Sequence, residues 1–305
     1  MTTPAGARRV GVLGLGRMGA PIAARLAAAG LEVAAFDPVV APPAGVRQGR
    51  DAQDVAARAD VLLTILPTTE VLRGATSGPG GALAALPGGA VWVDCTSADP
   101  RVYGALAAEA AALGLQAVAA PLAGGPADAA AGTLGFYLSG APAAVGRIDR
   151  ILSVLGRPER RLLVGSDPAA AHTAKLLANT LWFGQAVAAA EVLLLGRALG
   201  LQPGLLGGIL RSSPGASAFL EHDLDALLDG DYLASFGIDR VVEELDTVAA
   251  LAEAAGTPHD VTAVVAGLHR AALDAYGPVD GELLAVRLLE DRAGARLRRE
   301  GSREV

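Results

Sequence analysis

The sequence predicts an α/β protein in which a doubly wound, mostly parallel sheet is followed by an all-α second domain, the two joined by a long helix. Three observations carry that expectation. Up to about residue 165, short β-branched apolar runs alternate with Ala- and Leu-rich helical stretches, as strands do when they cross over through helices. Beyond that point strand signals vanish, and a helical pattern runs from about 168 to 199 with only Gly184 and Gly196 as breakers. A chain of 305 residues also exceeds what one core usually fills, since single cores stop growing near roughly 250 to 300 residues. The expected domains are 1–165, built on the sheet, and 166–305, built on helices.

In chain order, Val10 to Leu13, Val33 to Phe36, Val61 to Leu66, Ala90 to Val93, Gln116 to Ala120 and Leu134 to Leu138 read as strands, each an apolar run closed by Gly, Pro, Asp or Ser. Segments near 17–29, 51–58, 99–113 and 142–155 read as helices. Ser166 or Asp167 can cap the long helix with Pro168 in its first turn, where the missing N–H would have had no partner anyway. Its roughly 30 residues would span about 45 Å, well beyond an ordinary globular helix. From there to about Arg292, helices are punctuated by Pro203, Pro214, Gly230, Gly256 and Pro258, and the last ten or so residues are expected to fray.

Composition excludes several functions. The net charge is −7, and the one basic cluster, Arg292, Arg296, Arg298, Arg299 and Arg303, sits in the tail, so nucleic acid is not an expected partner. Cys95 is the only cysteine, which rules out an intramolecular disulfide and any Cys-based metal site; a reducing, cytoplasmic setting follows as the default. The four histidines, His172, His222, His259 and His269, show no short ligand spacing, so no metal is expected. Arg8-Arg9 resembles a twin-arginine export signal, but Gly11, Gly14, Gly16 and Gly19 break the apolar stretch that follows. The run from Leu176 to Leu195 is long enough to cross a bilayer, yet it carries Asn179, Gln185 and Glu191 and reads as a buried helix of a soluble protein, with no membrane as partner.

The candidate cofactor site lies at the first strand-to-helix turn. Gly14, Gly16 and Gly19 have the GxGxxG spacing directly after a strand and opening a helix, a Rossmann-type arrangement. The first glycine makes the tight turn, the second lets pyrophosphate approach the backbone, and the third lets the helix pack on the sheet. Free amides at the helix start supply an anion site. Asp37 ends the second strand, where its carboxylate can accept hydrogen bonds from a free ribose and would repel a 2′-phosphate, so NAD is favoured over NADP. Arg47 and Arg50, the nearest arginines after it, stand about ten residues on.

Lys175 is the only lysine; the other 24 of 25 basic residues (25 minus one) are arginine. Arginine stays protonated at any useful pH, whereas an amine can give and take a proton. Asn179 follows four residues later, so the two side chains share a helix face about 5–6 Å apart between Cβ atoms. Hydride transfer from an alcohol carbon requires a proton to leave the oxygen in step, a task such a pair suits, with Lys175 exchanging the proton and Asn179 fixing the geometry. A nearby oxidised nicotinamide and a dry surrounding would both favour the neutral amine.

With these residues in place, the chain resembles the β-hydroxyacid dehydrogenase family, the group containing 3-hydroxyisobutyrate dehydrogenase and tartronate semialdehyde reductase. Gly14-Leu-Gly-Arg-Met-Gly19 looks like the family's opening fingerprint, and Leu66-Pro67 like its loop after the third cofactor-domain strand. Asp94-Cys-Thr-Ser97 followed by Pro100 is similar to its Asp-x-Ser-Thr segment with the hydroxyl residues exchanged. Pro121-Leu-Ala-Gly-Gly125 and Gly132-Thr-Leu134 resemble the substrate loop Pro-Val-Ser-Gly-Gly and its Gly-Thr-Leu, and Lys175-Leu-Leu-Ala-Asn179 the catalytic Lys-x-x-Asn-Asn. The resemblance implies Leu15, Arg17, Met18, Leu66, Pro67 and Thr96 at the cofactor alongside the glycines and Asp37. It implies Thr96, Ala123, Gly124, Gly125, Lys175 and Asn179 at a small-molecule substrate, and a homodimer or homotetramer. A Leu-rich stretch such as Leu205 to Leu210 fits burial against a second subunit.

Several residues depart from the family pattern. Ala123 replaces a serine that helps bind the substrate carboxylate, leaving the amides of Gly124 and Gly125 as a possible anion nest. Ala178 replaces the first asparagine and excludes the Lys-x-x-His-Asn of 6-phosphogluconate dehydrogenase. Aligned on Phe236, Glu243-Glu244-Leu245 takes the place of Lys-Asp-Leu, with Arg240 one turn earlier as a candidate partner that could restore positive charge. Ala169 and Ala171 stand where glycines are usual and should stiffen the helix start. Cys95 reads as a small buried filler, and His172 as facing either a cleft or solvent. Three functions stay open: an NAD-dependent oxidoreductase of 3-hydroxy acids or related short polar alcohols, an imine reductase of the same build, and a dinucleotide-binding scaffold without turnover. Lys175 argues against the second, and intact Lys175 and Asn179 against the third.

Overall fold

The computed structural model describes residues 9–299. The chain divides into two compact units, Met1–Lys175 and Leu176–Val305. In the first, β1 (Arg9–Leu13), α1 (Gly19–Ala28), β2 (Glu32–Phe36), β3 (Arg47–Gln48), α2 (Ala52–Ala56), β4 (Val61–Thr64), α3 (Thr69–Thr76), α4 (Ala82–Ala85), β5 (Val91–Asp94), α5 (Pro100–Ala112) and β6 (Gln116–Ala119) form the doubly wound part. After them come β7 (Leu122–Ala123), α6 (Pro126–Ala131), β8 (Leu134–Gly140), α7 (Pro142–Arg147), α8 (Asp149–Leu155) and β9 (Gly156–Gly165). The sheet order is β3-β2-β1-β4-β5-β6-β8-β7, with β9 paired to β8. Strands β1 to β6 pair in parallel; β8 runs antiparallel to β6 and β7 and parallel to β9.

Both faces of this sheet are covered, which is why its central strands read as continuous apolar runs rather than alternating ones. Val10, Val12, Val61, Leu63, Val91 and Val93 enter one core with Ile22 and Leu26 of α1 and Ile151 of α8. Leu62 and Trp92 enter the opposite core with Val55 of α2 and Tyr103 and Leu106 of α5. The chain direction reverses outward from β1 and β4, so the loops after β1, β2, β4 and β5 gather at one edge, the usual place for a ligand in such sheets.

Three local expectations need correction here. The helix expected near 142–155 is two, because Ile148 (φ −100°, ψ 4°) ends α7 and opens α8. The short helices α3, α4 and α6 were not anticipated; α3 is capped by Thr68, whose side chain accepts from the Val71 amide. Strand β9 was also missed: Arg157, Glu159 and Arg160 open it, and Leu162 and Leu163 are exposed, so no apolar period marks it. Charge and exposure are what an edge strand carries.

Helix α9 (Ala170–Ala198) begins in the first unit and continues into the second. The Asp167 carboxylate accepts from the Ala169 amide at 2.9 Å in the turn before it. The second unit continues with α10 (Pro203–Arg211), α11 (Ala218–His222), α12 (Leu224–Leu228), α13 (Ile238–Ala255), α14 (Asp260–Tyr276) and α15 (Leu284–Ala293). One of its cores joins Ala190 and Leu193 of α9 to Phe219, Leu224 and Leu227; the other joins Phe183 and Val187 to Val241, Leu245 and Val265. The description of 176–195 as a buried helix holds for one face only: Leu177, Leu181, Val192 and Leu195 are exposed. By length and composition α9 is apolar enough to cross a membrane. Of the segment expected to fray, residues 300–305 lie outside the described residues, while Leu297 is fully buried and its amide donates to Glu290 Oε1 at 2.6 Å. Arg8 and Arg303, named above for their charge, lie outside the described residues.

Candidate active site

In the first unit, the candidate residues ahead of α9 lie on or beside five loops, those after β1, β2, β4, β5 and β7. Gly14 turns at φ +93°, and a Cβ there would stand 2.2 Å from the Ile65 carbonyl oxygen; one on Gly19 would stand 2.0 Å from the Gly14 oxygen. Gly16 differs, with nothing within 4 Å of its would-be Cβ, so its backbone borders open space. That combination, two glycines forced by packing and one facing a void at a helix start, is the cradle a pyrophosphate needs. Leu15 buries its side chain in the core and gives its amide to Asp37 Oδ2 at 2.8 Å. Met18 packs against the same core, while Arg17 is exposed.

Asp37 is fixed at the end of β2. Its Oδ1 also accepts from the amides of Val39 at 2.9 Å and Val40 at 3.0 Å. Partial burial pushes its carboxyl up, but the Leu15, Val39 and Val40 amides outweigh it and hold the group below the usual carboxylate range. The ionised oxygen that takes only one amide keeps room for a ribose hydroxyl. Arg47 and Arg50 both pair with Asp54, at 2.9 and 3.5 Å. On this chain's own atoms the cradle and the carboxylate fit a dinucleotide.

The loops after β4 and β5 are tied together through Thr96, whose hydroxyl accepts from the Leu66 amide at 3.2 Å. Thr96 is buried, Leu66 half-buried and Pro67 exposed. The Thr96 amide donates to Asp94 Oδ1 at 3.2 Å, and Thr64 Oγ1 donates to the same oxygen at 2.7 Å. Cys95 between them is buried, and burial pushes its thiol far above the ordinary value, with the Asp94 charge adding to the effect. It is a filler, as expected.

Ala123 lies in β7, and Gly124 follows with φ +121°. The amide of Gly125 donates to Asp128 Oδ2 at 3.0 Å, and Thr133 Oγ1 donates to Asp128 Oδ1 at 2.7 Å. One of the two amides considered for an anion nest is therefore already engaged, so the loop offers fewer donors than its glycines suggested.

Lys175 and Asn179 stand one turn apart on α9. Lys175 is half-buried and pairs with no acid among the described residues. In the second unit Asn179 Nδ2 donates to Glu244 Oε2 at 2.7 Å. A carboxylate only accepts, so the amide nitrogen must face it, leaving Asn179 with one N–H and its carbonyl oxygen for a ligand. Glu244 is buried and its other oxygen, Oε1, has no hydrogen-bond partner among the described residues. Glu243, not Glu244, takes Arg240, at 2.7 Å, and Arg240 also meets Asp239 at 3.1 Å. The idea that Arg240 restores positive charge is corrected: two acids surround one guanidinium. His172 does not face solvent: it is buried within the first unit beside Asp94. The Asn179–Glu244 and His172–Asp94 pairs are the site features that sequence reasoning missed.

A sheet of this order with a glycine cradle and a fixed ribose-side carboxylate defines a nicotinamide-dinucleotide enzyme. Residues 9–166 match the model for the NAD-binding domain of 6-phosphogluconate dehydrogenase, and residues 169–289 match that for the NAD-binding region of NADP-dependent 3-hydroxyisobutyrate dehydrogenase. The 2-(hydroxymethyl)glutarate dehydrogenase of Eubacterium barkeri is 33% identical over 84% of this chain and 86% of its own. The NAD-dependent L-serine dehydrogenase of Pseudomonas aeruginosa is 29% identical over 70% of this chain and 72% of its own. The 3-hydroxyisobutyrate dehydrogenase structure from Mycobacterium tuberculosis, solved with L-serine, superimposes with a TM-score of 0.81 at 25% identity, covering 92% of this chain and 99% of its own. An imine reductase from Myxococcus stipitatus shares the fold at a TM-score of 0.63 and 17% identity, covering 93% of this chain and 100% of its own. The chain belongs to the β-hydroxyacid dehydrogenase family and is an NAD(P)-dependent dehydrogenase acting on a CH–OH group.

Proposed function

We propose that this protein uses NAD to interconvert a 3-hydroxy acid, or a related short polar alcohol, with its aldehyde or ketone, and that Lys175 exchanges the hydroxyl proton. The observation that carries the reading is the sole lysine one turn from an asparagine whose amide is oriented by the buried Glu244. When bound, the dinucleotide accepts or returns the hydride; Gly14, Gly16, Gly19 and Asp37 would hold it, with Leu15, Arg17, Met18, Leu66, Pro67 and Thr96 around it. Lys175 Nζ takes the proton from the alcohol oxygen in oxidation and returns it in reduction. Asn179 holds the same oxygen with its remaining N–H, and the loop Ala123, Gly124, Gly125 with the Thr96 hydroxyl faces the rest of the substrate. The fixed Asp37 carboxylate, with Arg47 and Arg50 both paired to Asp54, supports NAD over NADP.

The domains are proposed to meet near 165, a cofactor-binding 1–165 and a helical 166–305. The exposed Leu177, Leu181, Val192 and Leu195 on α9, with Leu199 just after it and Leu205 and Ile209 on α10, support a homodimer or homotetramer, and a cytoplasmic setting is proposed with it. Screening L-serine, 3-hydroxyisobutyrate and 2-(hydroxymethyl)glutarate with NAD and with NADP tests the reading. Oxidation with an NAD preference, abolished in Lys175→Met while NAD still binds, is expected. Undiminished turnover by Lys175→Met refutes the role given to the lysine.

A further inference from the structure

Asp94 is the node of a buried polar network in the first unit. Its side chain and that of His172 are both fully buried, with His172 Nε2 3.3 Å from Asp94 Oδ2. Asp94 Oδ1 is already occupied by Thr64 and Thr96, and Trp92 Nε1 donates to Thr64 Oγ1 at 3.0 Å. Asp94 Oδ2 and both ring nitrogens of His172 are buried without another hydrogen-bond partner among the described residues, and Oδ2 and Nε2 face each other at 3.3 Å. A buried carboxylate oxygen left without one is strongly unfavourable, which ties the ring to that oxygen. The ring is also walled in: Tyr103 packs on His172 at 4.4 Å between centroids, and Trp92 on Tyr103 at 5.2 Å.

The network joins three pieces of the site. Thr64 ends β4 just before Leu66, Thr96 follows β5, and His172 lies on the first turns of α9, one turn before Lys175. Next to His172, the Ala171 amide donates to Ser139 Oγ at 3.1 Å, and Ser139 Oγ donates to the Pro168 carbonyl at 2.8 Å. The helix start is thus pinned at two neighbouring residues. The His172 contact is the one of the two that reaches the carboxylate holding Thr96.

We propose that His172 is a positioning residue: through Asp94 it sets where Lys175 stands relative to the loops after β4 and β5. The proposal rests on the catalytic reading of Lys175, but its primary test does not. A misplacement of about 1 Å at a reacting group can cost on the order of a hundredfold in rate. A glutamine side chain presents its amide nitrogen near where histidine presents Nε2, whereas leucine presents none and asparagine is too short to reach.

Because the chain has one lysine, reductive methylation with ¹³C-formaldehyde labels a single side-chain amine, distinguished from the terminal amine by its absence in Lys175→Met. The expected result is that His172→Leu moves the Lys175 methyl resonance, with and without NAD, while His172→Gln keeps it at the parental position. With whichever of the three hydroxy acids the parent oxidises, kcat should fall about tenfold or more in His172→Leu. The KM for NAD should stay within about twofold and kcat, counted per NAD-binding site by titration so that unfolded protein does not enter it, should return in His172→Gln. If His172→Leu does not fold, His172→Asn replaces it with the same expectation. An unmoved resonance and unchanged kcat, with only the melting temperature lowered, overturn the proposal and leave His172 a core residue. Should Lys175→Met retain full activity while the resonance still follows His172, the catalytic reading fails and the positioning stands.

Discussion

Gly16→Ala separates the cofactor reading from the packing reading of the glycine turn. Nothing lies within 4 Å of a Cβ at Gly16, and its φ lies outside the left-handed region, so the methyl meets no atom of the protein. Replacing glycine by alanine at such a position removes unfolded-state freedom and stabilises by about 0.4–1 kcal/mol. The ligand-free protein should therefore melt no lower than the parent. The same methyl occupies the space a pyrophosphate would enter, and a tenfold loss of NAD affinity corresponds to about 1.4 kcal/mol. At a fixed NAD concentration of about 100 times the parental Kd, ligand stabilisation would drop from about 2.7 to about 1.4 kcal/mol, halving the NAD-induced thermal shift. Gly14→Ala and Gly19→Ala are the contrast: their methyls would stand 2.2 and 2.0 Å from backbone oxygens, so both should lose stability without ligand. Differential scanning fluorimetry and titration calorimetry read both quantities. Parental NAD affinity in Gly16→Ala, or a lowered melting point without ligand, refutes the placement of the pyrophosphate at this turn.

Other perturbations test the buried polar groups. Thr64→Val strands the Trp92 N–H and removes a donor from Asp94, and should cost about 2–3 kcal/mol in urea unfolding. His269 is buried with Nδ1 2.8 Å from the Val265 carbonyl; burial lowers its pKa more than that hydrogen bond raises it. The folded state therefore binds fewer protons than the unfolded one below about pH 6.5, so this contribution is complete above that pH and is lost as pH falls. Melting temperatures between pH 7.5 and 5 should decline less steeply in His269→Phe than in the parent. The Cys95 thiol, pushed up by burial, should resist maleimide at pH 8 in the folded protein and react at once in denaturant; rapid native labelling would contradict its burial. Glu244→Gln can keep an oxygen for the Asn179 amide, whereas Glu244→Leu cannot, so only the leucine variant should lower kcat markedly with NAD affinity unchanged.

The doubly wound sheet could be read from the chain because both its faces are covered. Val61, Leu62 and Leu63 all need burial, and a run of that kind flanked by helical stretches has few other solutions. What escaped was structure with no apolar period of its own. Strand β9 lies at an edge with most side chains in solvent, so its pairing with β8 is a backbone matter that leaves little trace in residue type. Helix α7 stops at Ile148, which is an unremarkable helix residue by propensity; the break comes from how the chain packs onto the sheet, with Ile148 fully buried. The exposed apolar face of α9 has the opposite cause. The helical period was correct, but which side of a helix is covered depends on neighbours that one chain alone does not supply.

For the candidate site, the glycines, Asp37, Lys175 and Asn179 could be picked out because what singles each of them out is spacing along the chain. His172 and Glu244 do theirs through partners, Asp94 and Asn179, that only the fold brings near. A trace of both was nonetheless present. On α13, Glu244 falls on the same stripe as Val241, Leu245 and Val248, all buried, and on α9 His172 falls on the stripe of Leu176 and Phe183. A charged or polar residue on the apolar stripe of a helix must either leave the core or find a partner inside it, since an unpaired buried carboxylate is not tolerated. At Glu244 that partner is Asn179, proposed above to hold a substrate oxygen, and at His172 it is the carboxylate that accepts from the Thr96 amide. Polar interruptions of an apolar stripe are therefore the sequence feature that would have pointed to the supports of Lys175 and Asn179, where the motif pointed only to the two residues themselves.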